Sequence, residues 1–121
     1  MELQVKPLAM AIVVMSALST VAIPQVVAGD AAMIEKGKKV AEDRKKGNCF
    51  GCHAYAGAVL PGNSAPPLVA MKARFPDKAK LRAQIWDPSA RNKNAAMPPM
   101  GKHGILTEAE IDAVTEWVYS L

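Results

Sequence analysis

Gly47-Asn48-Cys49-Phe50-Gly51-Cys52-His53 decides how this chain is read. Two cysteines separated by two residues, with histidine next, is the spacing for covalent haem attachment. Two thiols must add to the two vinyl edges of one porphyrin, and a short helical loop brings them there. The residue that follows then lies under the ring and can place an imidazole nitrogen on iron. The spacing predicts Cys49 and Cys52 as thioether positions and His53 as the proximal axial ligand of one haem c. Two other uses of a CxxC pair compete with this one. A thioredoxin-like redox pair belongs near a βαβ pattern, and no strand alternation surrounds the motif. A zinc site needs two further ligands at matching spacing. The chain has 2 Cys and 2 His in all, which leaves only His103.

Upstream of the motif, Leu8 to Ile23 is an almost unbroken apolar run, preceded by Lys6 and Glu2 and broken by Pro24. Val26-Val27-Ala28 then offers small residues before Gly29. This pattern predicts a secretory signal peptide over residues 1–28, cleaved after Ala28, and one domain over residues 29–121. An uncleaved membrane anchor is the alternative, but the run is short against the ~20 residues of a spanning helix. No membrane association is expected after cleavage. With both cysteines committed to haem, no structural disulfide is expected. A domain of this size buries a modest core, so the haem is expected to be the apolar plate it condenses around. The formal charge of +4 comes from mixed rather than clustered charges, and aromatics are 5% of residues. Without a basic stripe interleaved with aromatics, the composition argues against nucleic acid. It fits a mildly basic face that steers an acidic protein partner.

Helical periodicity flanks the motif on both sides. Asp30 is positioned to cap a helix reaching about Lys46, with Met33, Gly37, Val40 and Ala41 along one face. Gly37 costs about 1 kcal/mol of helix propensity against alanine, which makes sense where another helix must approach closely. Thr107-Glu108-Ala109-Glu110 is a capping box that opens the candidate partner. Ile111, Val114, Trp117, Val118 and Leu121 recur along it at helical spacing as core positions, with Trp117 large enough to cover a glycine. Asp77 caps a short middle helix to about Trp86, with Leu81 and Ile85 one turn apart, and Asp87-Pro88 ends it. Tyr55 to Pro67 is rich in glycine and proline and reads as irregular loop, as does Ser89 to Gly104. The fold class is all-α and loop-rich, and with the haem motif it resembles a small class I-like cytochrome c fold, which implies crossing terminal helices and haem in the core.

A haem iron held by one histidine needs a sixth ligand or keeps an open site. Met97 is the expected ligand, because Pro98 and Pro99 fix φ and stiffen the loop that carries it. Thioether sulfur favours ferrous iron and raises the reduction potential relative to a second nitrogen. Of the 7 Met, Met1, Met10 and Met15 lie in the expected signal peptide and Met33 on the first helix. Met100, His103 and Met71 are the alternatives. Ligating histidines usually donate their other N–H to an acceptor; the Pro66 carbonyl, at the distance where small c-type cytochromes place such a proline, is expected to serve. Leu68 is then expected to pack on the ring. Trp86 is open between the haem, a partner and the core.

Taken together, the haem motif, Pro61-Gly62-Asn63, Pro66-Pro67-Leu68, Met71, Arg74-Phe75-Pro76-Asp77, Gln84-Ile85, Asp87, Met97-Pro98-Pro99, Gly101, Ile105-Leu106-Thr107 and Glu110-Ile111 resemble the SoxX family. That family is the monohaem subunit of the SoxAX cytochrome complex of sulfur-oxidising bacteria. The resemblance runs from about Gly37 to Leu121, and its most specific pieces are Arg-Phe-Pro-Asp and Met-Pro-Pro. Met100 stands where the family often has phenylalanine, and Asn94 lies near a common Asn-Pro pair.

The resemblance implies a periplasmic protein, since covalent haem attachment in bacteria occurs outside the cytoplasmic membrane. It further implies a heterodimer with a SoxA-type subunit, transient contact with the SoxYZ carrier, and a downstream cytochrome c as electron acceptor. In the family, thiosulfate is joined oxidatively to a SoxY cysteine at a SoxA haem whose axial ligand is a modified cysteine, and SoxX takes the electrons. This chain has no cysteine beyond the two of its motif, so no catalytic residue is expected on it. Two other functions stand beside this one. They are a free, diffusible cytochrome c serving a terminal oxidase or reductase, and a peroxidase-like site that opens by losing Met97.

Overall fold

The computed structural model describes residues 26–121. Among these residues four α-helices carry the fold: α1 (Val26–Glu42), α2 (Met71–Arg74), α3 (Lys78–Trp86) and α4 (Glu108–Tyr119). Two 3₁₀ turns, Cys49–Gly51 and Pro88–Ala90, interrupt the connecting loops. Among the described residues there is no strand, and no helix is long and apolar enough to cross a membrane.

α1 packs principally on α4, and α3 packs on α4 beside it. The crossing point of α1 and α4 is Gly37. A Cβ added there would lie 1.9 Å from the Ala113 carbonyl oxygen and 2.9 Å from Trp117 Cβ. The glycine therefore admits the backbone of α4, and the tryptophan expected to cover it is only the second neighbour. Gly37, Val40 and Ala41 are buried and Met33 is half-buried, so the expected face is the packed one. On α4, Ile111, Val114, Trp117 and Val118 are buried, while Leu121 lies past the helix end and is half-buried.

The capping box forms as the sequence predicts. Thr107 accepts from the Glu110 backbone N–H, and the Glu110 carboxylate accepts from the Thr107 backbone N–H. α3 likewise begins at an Asp77 cap, whose carboxylate accepts from Ala79 N–H at 2.9 Å. Leu81 and Ile85 are buried on it.

α1 departs from expectation at both ends. It begins at Val26, so Asp30 sits exposed within the helix instead of capping it. It stops at Glu42 and not near Lys46, because Asp43 folds the chain into a turn. Its carboxylate accepts from Lys45 N–H at 2.8 Å, and its carbonyl accepts from Lys46 and Asn48. Gly47 N–H then returns to the Val40 carbonyl at 3.1 Å. The expected signal peptide, residues 1–28, lies outside the described residues except for 26–28, which form the start of α1. α2 had no periodic signal: it is one turn, opened by Ala70 in the left-handed region at φ 51°.

Candidate haem-binding site

The motif is held from behind by α1. A Cβ at Gly47 would come within 2.8 Å of the Val40 carbonyl oxygen, so the chain enters the motif pressed against the helix. Asn48 takes a left-handed conformation, φ 44° and ψ 38°, which asparagine tolerates better than most residues. The turn that follows is closed by Gly51 N–H to Asn48 O, Cys52 N–H to Cys49 O, and His53 N–H to Cys49 O at 2.9 Å. Cys49, Cys52 and His53 are thereby brought to one cleft. Cys49 is half-buried and Cys52 exposed, and no disulfide joins them. Burial pushes the Cys49 thiol up to about 11.

Tyr55 ties this turn to both long helices. Its ring meets Trp117 edge-on, with centroids 4.9 Å apart and planes at 84°. Its hydroxyl donates to Glu42 at 3.0 Å, and desolvation, followed by that carboxylate, raises its pKa. The sequence offered no periodic signal for this role, since Tyr55 lies in a loop. The Tyr55–Pro67 loop is also fixed to the motif. Gly62 N–H donates to Phe50 O at 2.8 Å, and a Cβ at Gly62 would meet the Gly51 carbonyl oxygen at 2.1 Å. Ala65 N–H donates to Cys52 O, and Leu68 N–H to Ala54 O at 2.8 Å.

These bonds place the Pro66 carbonyl 2.6 Å from His53 Nδ1. With the proton on Nδ1 as donor, Nε2 keeps its lone pair for a metal. Arg74 supports the same segment: its guanidinium donates to Pro67 O at 2.7 Å and approaches the Met71 sulfur at 3.3 Å.

The cleft consists of two adjoining cavities, of about 310 and 370 Å³. They share Cys49, His53, Ser64, Ala65, Ala96, Met97 and Met100. The first is walled by Leu68, Met71, Phe75, Leu81, Ile85, Leu106, Val114 and Val118. Pro66 lines it as well. The structure thus brings Cys49, His53, Pro66, Leu68 and Met97 around one cavity, and Cys52 lies on the second with Cys49, His53 and Met97. Met97 is half-buried and Met100 buried. His103 lines neither cavity, whereas Met71 lines the first.

The loop bearing Met97 is anchored on its C-terminal side. Gly101 and Lys102 N–H both reach Trp86 O at 3.2 Å, Lys102 Nζ reaches Asp87 at 2.8 Å, and Leu106 N–H donates to Met100 O. Trp86 packs on Gly101, where an added Cβ would strike the indole at 2.0 Å, and Arg82 lies over the ring at 5.6 Å. Trp86 lines neither haem cavity, so its role is to hold this loop.

This donor set suits a porphyrin and not a bare cation. No group of three or more His, Cys, Asp or Glu among the described residues could hold a metal ion. What the cleft offers is apolar walls, two thiols at its margin, one imidazole with its second nitrogen bonded, and thioether sulfur. Residues 32–118 match a family model described as cytochrome c oxidase, cbb3-type, subunit III. No curated protein matches the chain. A match over most of the chain, on a helical fold whose Cys49–Cys52–His53 motif borders an apolar cleft, places this protein in that family of c-type cytochrome domains, and its cofactor is covalently attached haem c.

Proposed function

We propose that this electron-transfer cytochrome holds its iron between His53 and Met97 and acts as the electron-accepting subunit of a periplasmic SoxAX-type complex. The observation that carries the ligand assignment is that His53 and Met97 line the same apolar cleft with Met97 only half-buried there, whereas Met71 and Met100 are buried in the core. Bound haem supplies one-electron redox chemistry, and a thioether ligand raises its potential. Cys49 and Cys52 anchor the ring by thioether bonds, and Pro66 orients the imidazole by accepting its Nδ1 proton. Leu68, Met71, Leu81, Ile85, Val114 and Val118 exclude water. Held between His53 and Met97, the iron would keep no position for a substrate, which argues against the peroxidase reading.

The Sox assignment is supported by the Arg74-Phe75-Pro76-Asp77 and Met97-Pro98-Pro99 motifs. The chain also lacks a third cysteine to serve as a persulfide ligand, so thiosulfate coupling falls to a SoxA partner. Export through the residue 1–28 segment accounts for haem attachment and for a location where SoxYZ and a downstream cytochrome c are met. A second reading, a free and diffusible cytochrome c serving a terminal oxidase or reductase, fits the same family of domains. Size exclusion of the mature holoprotein with a SoxA-type subunit separates the two. The first reading expects a stable one-to-one complex and reduction of this haem on adding thiosulfate and SoxYZ. A chain that stays monomeric and oxidised in that mixture overturns it.

A further inference from the structure

Another cavity, of about 590 Å³, is lined by Arg74, Phe75, Pro76, Asp77, Lys80 and Arg91. Its cations come from three separate places: the end of α2, the first turn of α3, and the residue closing the second 3₁₀ turn. Three cations face one carboxylate, and that carboxylate is already used as the cap of α3. Of the cations near it in sequence, Lys78 pairs with Glu116, Arg82 with Asp112 and Glu108, and Lys102 with Asp87, whereas Lys72 and Lys93, among the described residues, pair with no carboxylate. Among the described residues, Arg74, Lys80 and Arg91 have no carboxylate within ion-pair distance. Three exposed like charges around one concavity set up a positive potential that attracts an anion. Arg74 uses only Nη1 for Pro67 and Met71. Its remaining N–H groups stay available, in the fork geometry that suits an oxyanion.

Arg74 also lines the haem cavity together with His53 and Pro66. The carbonyl it holds belongs to Pro67, next to the carbonyl that accepts the His53 proton. We propose that the Arg74–Lys80–Arg91 cavity binds a multiply charged oxyanion and that its occupancy lowers the reduction potential of the haem. Negative charge beside the cleft stabilises the oxidised centre. By linkage the oxidised protein must bind the anion more tightly, by the same factor that shifts the redox equilibrium.

The test is a titration of the holoprotein with inorganic phosphate at constant ionic strength, read by calorimetry and by potentiometry. Calorimetry does not depend on the electron-transfer reading; the potential shift does. We expect saturable binding that weakens about tenfold or more in a Lys80→Gln/Arg91→Gln variant, as the loss of charge-assisted hydrogen bonds implies. We also expect a potential that falls to a plateau with phosphate in the parent and not in the variant. Heat that follows ionic strength alone, or binding unchanged in the variant, overturns the site. Equal affinity in the two oxidation states overturns the coupling while leaving the site.

Discussion

Replacing Gly37 by alanine sets helix propensity against packing at the point where α1 crosses α4. On propensity alone the change stabilises α1 by about 1 kcal/mol. The new methyl carbon, however, would sit 1.9 Å from the Ala113 carbonyl oxygen. That obstacle is backbone in the middle of a helix, with no rotamer to move, so the two helices must separate by more than an ångström. Overpacking a core costs about 1–3 kcal/mol, and a rigid obstacle puts this site at the upper end. The net expectation is a loss of about 2 kcal/mol, or roughly 8–16 °C in Tm for a domain of this size. The assay is guanidinium and thermal unfolding of the holoprotein, followed by far-ultraviolet circular dichroism. Lys38→Ala, at the exposed neighbouring position, controls for propensity. A Gly37→Ala protein as stable as the parent, or more so, would refute the close crossing.

Three further outcomes are expected. Met97→Ala abolishes the methionine-to-iron charge-transfer band and lowers the potential, while Met100→Ala keeps the band; the reverse pattern moves the sixth ligand to Met100. Cys49→Ser or Cys52→Ser leaves one thioether, seen as a shifted pyridine haemochrome, and an unshifted spectrum counts against attachment through that sulfur. Glu110 is held down at about 2, first by its bond to Lys46 and then by the Thr107 N–H. A depressed carboxylate stabilises the fold fully above its unfolded pKa of about 4.3 and loses that contribution as pH falls towards 2. The stability gap between the parent and Glu110→Gln therefore stays constant near neutrality and shrinks between those values. A gap independent of pH in acid titrations contradicts the assignment.

Local chemistry was legible wherever a short run of residues closes its own bonds. The Cys49–His53 turn, the Thr107–Glu110 box and the Asp77 cap each depend on groups within a few positions, so spacing alone identifies them. The helix face through Gly37, Val40 and Ala41 was readable for a related reason, since burial recurs with the helical period. The end of α1 was misplaced because Asp43 had two local options, and hydrogen bonds from Lys45, Lys46 and Asn48 selected the turn.

The sequence by itself determined that the chain carries a haem-attachment motif, that its terminal helices are amphipathic, and that no third cysteine is present for chemistry on sulfur. Only the tertiary structure decided which groups surround the motif. Tyr55 spans from Glu42 to Trp117, Arg74 braces the Pro66-Pro67 segment, and Trp86 holds the Met97 loop through Gly101. None of these contacts repeats with a helical or strand period, because each joins a loop to a separate element. Periodicity records which face of a helix is buried, whereas the partner across that face is chosen by packing in three dimensions.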